Sequence, residues 1–224
     1  MNRHRRRRLA AILVVSSIAI VACGDDADDG SGAGATVPPA TSPDSAAPAN
    51  AVPDWPAPDD PAARTTAAGL AMEVKEHLSV HRHAHLDVFV DGAVLKVPAA
   101  IGIDITDPGV KHFADVGAYG GITECANPCI SPLHTHDDTG VLHTESAADT
   151  LLTLGQFFTE WGVQLDAECV GEFCEPATDI AVYIDGEPYE GNPADIELED
   201  RLAIVIVIGT PPAVIPDTAD FSQA

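Results

Sequence analysis

The sequence predicts an α+β domain built mainly of antiparallel β-sheet, sandwich-like, with one or two short helices, behind a signal peptide and a disordered linker. Three observations predict it. Alternation of period two runs from His77 to Val90, ends in Asp91-Gly92 and resumes at Val94, which is the pattern of a hairpin with one buried face. A second Asp-Gly pair closes Val182-Tyr183-Ile184-Asp185-Gly186, and the run Leu202 to Ile208 is apolar at every position, as in a strand covered on both faces. Against these strands stands one segment of strong helical spacing, with Leu154, Phe157, Phe158 and Trp161 on one stripe.

The elements follow in chain order. MNRHRRRR is basic, and Leu9 to Ala22 is a small-and-apolar run too short for a comfortable bilayer span, which takes ~20 residues. Such a leader reads as a secretion signal over residues 1–22. The ending Ile20-Val21-Ala22-Cys23 resembles the lipobox of bacterial lipoproteins. That resemblance implies cleavage before Cys23, a lipid thioether on Cys23, and an extracytoplasmic protein anchored to the cell membrane. The four arginines Arg5 to Arg8 leave the export route open.

Loss of the leader removes five of the 11 Lys and Arg and none of the 35 Asp and Glu, leaving a mature charge near −29. Phosphate binding depends on cationic side chains, so this balance excludes a nucleic-acid role and disfavours anionic headgroups. Acyl chains, rather than protein charge, would hold the molecule at the membrane.

Residues 23–64 are dominated by Ala, Pro, Asp, Gly and Ser and have almost nothing to bury, so they read as a disordered acidic tether. Trp55 is its one aromatic able to dock on the domain. Residues 65–212 form the expected domain and 213–224 a tail. A short helix is expected around Ala67 to Lys75. In the first hairpin Leu78, Val80, Ala84, Leu86, Val88 and Val90 share the core face, interrupted by Arg82. His77, Ser79, His81, His83, His85 and Phe89 are thereby pushed onto the other face. Asp91-Gly92 supplies the positive φ of a tight turn into Val94, Leu95 and Val97. The stretch from Asp104 to Pro128 is long and Gly-rich, the mark of a functional loop. Thr153 is the expected N-cap of the helix and Gly162 its stop.

Beyond Cys23, four cysteines stand in two close pairs, Cys125 with Cys129 and Cys169 with Cys174. Outside the cytoplasm they read as two disulfides, with the short spacings favouring these local pairings. A four-cysteine zinc site is the competing reading, disfavoured by an oxidising compartment.

Of nine histidines, seven fall in two segments: His77, His81, His83 and His85, then His134, His136 and His143. The second segment reads as a hairpin with Asp137-Asp138-Thr139-Gly140 at its tip. A two- or four-residue loop places His134 opposite His143, with His136 and Glu145 on the same face; a three-residue loop separates them. In the first register three imidazoles converge as a zinc or copper(II) ion requires, each neutral ring offering one lone pair. His83 and His85 are the best additional ligands, followed by His81, with His77 surface. Asp137 or Asp138 could orient an imidazole, and Glu145 could bind metal or move a proton on metal-bound water. Met72 is the one methionine left after Met1, so copper(I) is disfavoured.

The segments HRHAHLDVFVDG, LHTHDDTGVLHTES and TLGQFFTEWG together resemble a set of mostly uncharacterised exported bacterial and archaeal proteins that combine a His-x-His-x-His strand with a His-Thr-His-Asp hairpin. The resemblance implies that both segments belong to one module and brings no established activity. Leu133-His134-Thr-His136 is also similar to the copper strand of the copper and zinc superoxide dismutases, but only over four residues, and no His follows His143. Three functions stay open: a metal-binding protein that sequesters or transfers zinc or copper(II); a metal-dependent hydrolase or hydratase using Glu145; and a metal-free module whose histidines sense pH. No protein partner is specified.

Overall fold

A computed structural model describes residues 51–77 and 79–221. The expected leader, Cys23, residues 24–50 of the expected tether and Leu78 lie outside the described residues, as do the last three positions. The chain forms α1 (Pro61–Ala67), then a long strand β1 (Val80–Val90) that turns into β2 (Ala93–Leu95). A small hairpin, β3 (Lys111–Phe113) and β4 (Ala118–Gly120), precedes β5 (Leu133–His134) and β6 (Val141–Ser146). After α2 (Leu154–Trp161) come the short pair β7 (Cys169–Val170) and β8 (Phe173–Cys174). The hairpin of β9 (Ile180–Ile184) and β10 (Glu187–Tyr189) leads to β11 (Leu202–Ile208).

The main sheet runs β10-β9-β11-β1-β6-β5, with β2 also paired to β1. Its pairings are antiparallel except at the centre, where β1 and β11 run parallel from Ala84 opposite Leu202 to Val90 opposite Ile208. The apolar run of β11 is buried on both faces, as its composition predicts. Strand β1 divides its other edge, pairing β6 through its first half and β2 through its last three residues. The turn Asp91-Gly92 has φ of 47° and 79°, and Asp185-Gly186 repeats it at 50° and 80°; this is the primed geometry whose twist matches the strands it joins.

One face of the sheet carries the main core. Ala84, Leu86, Val88 and Val90 pack with Leu133, Leu142, Ile204 and Ile206 against Leu154, Phe157, Phe158 and Trp161 of α2. Thr153 caps that helix through a reciprocal bond with Gln156, worth ~1 kcal/mol, and Gly162 ends it at φ 79°. Arg82, the polar break in this face, pairs with Asp149.

The opposite face is divided along β1. Toward Asp91 it is apolar, with Phe89, Val205 and Val207 covered by Tyr183 and Ile215. Toward Val80 it carries the histidines.

Several boundaries differ from expectation. The first helix spans Pro61–Ala67 rather than 67–75, because Pro61 begins it and Gly69 turns the chain at φ 75°. The latter part of the expected tether lies on the domain: Trp55 meets Trp161 edge-on at 5.7 Å and its carbonyl accepts the Trp161 indole N–H. In the expected tail, Ile215 packs against the sheet residues Phe89, Val205 and Val207, and the Arg201 guanidinium lies over the Phe221 ring.

The stretch 104–128 contains β3 and β4 and helps build a small second core, in which Ile122 and Cys125 pack with Ala100, Ile103, Cys129 and Ile130. Cys125 is bonded to Cys129 and Cys169 to Cys174. Among the described residues, no helix is long and apolar enough to cross a membrane.

Candidate metal centre

Strand pairing assembles the site. On β1, alternation sends His81, His83 and His85 to the face away from α2. On β6, His143 and Glu145 share that face, and the antiparallel register sets His83 opposite His143 and His81 opposite Glu145. On β5, His134 is opposite His143. His83, His143 and His134 therefore form a row across three adjacent strands, with ring centres 4.6 and 5.4 Å apart, close to the spacing of the strands themselves.

His134 and His143 hold the register that a two- or four-residue loop predicts, although their pairing is the last of the ladder. Beyond it the chain leaves β6: Thr135 pairs with the 98–101 segment, its N–H donating to Ile101 and its hydroxyl to Pro98. His136 is thus folded back over the row, 4.7 Å from the His134 ring and 4.5 Å from the His143 ring. Gly102 permits this close approach. It has φ 74°, and a Cβ there would stand 2.5 Å from the Leu133 carbonyl and 3.2 Å from the His134 Cβ.

The hydrogen bonds determine which ring nitrogens carry protons. His134 Nδ1 is 2.8 Å from the Ser131 carbonyl and His136 Nδ1 is 2.6 Å from the Tyr119 carbonyl. A carbonyl only accepts, so each Nδ1 donates a proton, and in the neutral rings both Nε2 atoms carry lone pairs. Those two Nε2 atoms face each other at 3.3 Å. Two nitrogens bound to one tetrahedral zinc at 2.0–2.1 Å lie about 3.3–3.4 Å apart, so the separation fits a shared ion. A backbone carbonyl holding the distal nitrogen is also the usual support of a metal-bound imidazole.

Electrostatics favours neutral rings. Burial is the largest cause throughout, followed by neighbouring imidazoles. His83 and His143 are lowered to about 4, His134 falls well below its ordinary value, and His136 is lowered as well. Burial raises the Glu145 carboxyl, against the opposing pull of His81. Three buried atoms of the cluster have no hydrogen-bond partner among the described residues: His83 Nε2, His143 Nδ1 and Glu145 Oε2. Unpaired buried polar atoms are costly, and coordination to a cation is one way such atoms are satisfied. The donor atoms form two sets, each within 4.8 Å: His134, His136, His143 and Glu145; and His81, His83 and His143. These histidine clusters are able to hold a metal ion.

Three sequence-predicted residues lie elsewhere. His85 belongs to neither set, because it is opposite Val141 in the ladder and its Nε2 is 2.9 Å from the Thr139 carbonyl. Asp137 folds onto its own turn, accepting from the Thr139 N–H and hydroxyl, and reaches His143 only through its charge, while Asp138 pairs with Lys96; among the described residues neither is hydrogen-bonded to an imidazole. His81, ranked behind His85 on sequence, is a member of the cluster, 3.2 Å from Glu145. His77 pairs with Glu73, away from it.

The supports were not visible in sequence, since carbonyls of Ser131 and Tyr119 do the orienting and every residue has a carbonyl. Glu76 was also missed. It lies within electrostatic reach of Glu145, His136 and His81, and burial followed by the Glu145 charge raises its carboxyl. Behind His134, the Ser131 hydroxyl donates to the fully buried Glu160 at 2.6 Å, which stabilises the segment whose carbonyl holds the ring.

No protein-family model, no curated protein and no solved structure matches the chain.

Proposed function

We propose that this chain is an extracytoplasmic, lipid-anchored protein that binds zinc or copper(II) through His134, His136 and His143 and sequesters the ion or passes it on. The observation carrying this reading is the pair of Nε2 lone pairs facing each other at 3.3 Å, with both Nδ1 atoms committed to carbonyls. Donors of this hardness suit zinc and copper(II) and lack the sulfur that copper(I) prefers. Binding is favoured over catalysis by the number of donors and by the burial of Glu145. Its side chain is 4% exposed and lies between His81 and His143, a position for a ligand rather than for a base facing substrate.

The two disulfides fit an oxidising compartment. Lipidation of Cys23 supplies the anchor in this reading. Cys23→Ser is expected to release the protein from the membrane fraction, and a variant that stays membrane-bound argues against the anchor.

The deciding experiment is metal content by mass spectrometry on the exported full-length chain, purified without a His-tag, beside His134→Ala/His136→Ala. Stoichiometric zinc or copper that falls in the variant supports the site. A folded protein that stays empty after reconstitution with either ion overturns it and leaves the histidines as a pH-responsive surface.

A further inference from the structure

We infer that the histidine face holds two metal ions, the second bound by His81 and His83 on β1 and joined to the first through Glu145. This rests on the metal-binding reading above and extends it to a second site.

The first ground is the count and grouping of donors. His134, His136, His143 and Glu145 already supply the four ligands of a tetrahedral ion, and their donor atoms lie within 4.8 Å of one another. His81 and His83 add two more imidazoles, grouped with His143 and not with the His134–His136 corner. Their ring centres are 4.5 Å apart, and they stand at the β1 end of the row. A single ion at the His134–His136 corner leaves this pair unused, with the His83 Nε2 buried and unpartnered.

The second ground is the placement of Glu145. Its register partner on β1 is His81, and its Oε1 is 3.2 Å from His81 Nε2 and 3.7 Å from His143 Nδ1. Oε2 is buried without a partner. A carboxylate between two groups of imidazoles can give one oxygen to each ion, and bridged pairs of metals sit ~3.5–4 Å apart. That separation is less than one strand spacing, so adjacent strands can supply both sets without rearrangement. Two divalent ions bring four positive charges. Glu145 meets them directly, and Glu76 adds a second carboxyl within electrostatic reach of Glu145, His136 and His81.

The sites differ in preorganisation. The first has its rings fixed by carbonyls. In the second, the His81 side chain is 38% exposed and no hydrogen bond holds the His83 Nε2. The second ion therefore binds after the first and exchanges faster, as a transferable ion must.

The test is zinc titration of the exported full-length chain, stripped with chelator, followed by competition with a chromophoric chelator and by metal-to-protein ratio. Wild type is expected to bind two equivalents in distinguishable steps. His81→Ala/His83→Ala should retain one equivalent, the tighter, with an unchanged circular dichroism spectrum; His81→Gln/His83→Gln should behave alike. One equivalent in wild type, unchanged in these variants, leaves a single-ion centre and overturns the inference while preserving the metal reading. Loss of all zinc in the folded β1 variants makes the six donors one site and also overturns it. No zinc in wild type overturns both.

Discussion

The two ends of the histidine row present the same side chain in different physical states. At the β5 end His134 is fully buried, and both it and His136 have Nδ1 bonded to a carbonyl. At the β1 end His81 is exposed, and His83 has a buried Nε2 with no partner. Both ends place imidazoles at strand spacing. Only the first has its tautomers and ring orientations selected before a ligand arrives, so the cost of ordering is met during folding rather than on binding. The difference between the ends therefore lies in the supporting backbone, not in the residue type.

The largest test of this comparison is removal of the ordered end. His134→Ala/His136→Ala is expected to weaken metal retention by roughly 100-fold or more, since two ligands and their carbonyl supports are lost together. Dialysis against graded chelator followed by metal analysis measures it. An equal loss in His81→Ala/His83→Ala would remove the distinction between the two ends.

Acid should act on the apo protein through the middle of the row. His83 and His143 are lowered to about 4 from an ordinary 6.5, so between these values the unfolded chain binds protons that the folded chain refuses. Their contribution to stability is full above about 6.5 and is lost as the pH falls through about 4. The raised carboxyl of Glu145 works the other way and offsets part of that loss. Denaturant midpoints of the metal-free protein should fall steadily over this window, and His83→Ala/His143→Ala should flatten the profile. A flat wild-type profile would show that these rings titrate in the fold as they do in the unfolded chain.

Gly102→Ala tests whether the backbone maintains the ordered end. The substitution places a Cβ 2.5 Å from the Leu133 carbonyl at φ 74°, and a side chain in that conformation costs about 1–3 kcal/mol. Urea unfolding should show the loss together with weaker metal binding; full stability would mean that β5 can shift without consequence.

The smallest effect is expected at His85→Ala. Metal content should be unchanged and stability reduced by about 0.5–1.5 kcal/mol through loss of the contact with the Thr139 carbonyl. Any drop in bound metal would place His85 in the cluster after all.

The parts of the fold legible in sequence are those governed by local geometry. Alternation placed His81 and His83 with Phe89 on the face opposite Leu86 and Val88, and the helix between Thr153 and Gly162 has both predicted caps. The extent of the domain was less legible, because Trp55 and Ile215 stand in segments whose composition is that of a linker. They are ordered by surfaces formed far away in sequence. The same limit explains His85. By alternation it is equivalent to His83, and the difference between them is that β6 places His143 opposite one and Val141 opposite the other.

By itself, the sequence determined that histidines would crowd one face of a sheet and that His134 would meet His143 if the hairpin kept its register. The direction of each Cβ along a strand is a local property, which is why these features were readable. Tertiary structure alone decided that β1 lies beside β6, that His136 folds back over the row, and that the carbonyls of Ser131 and Tyr119 select the tautomers. These depend on pairings between distant segments and on backbone groups that every residue shares, so no side-chain pattern records them.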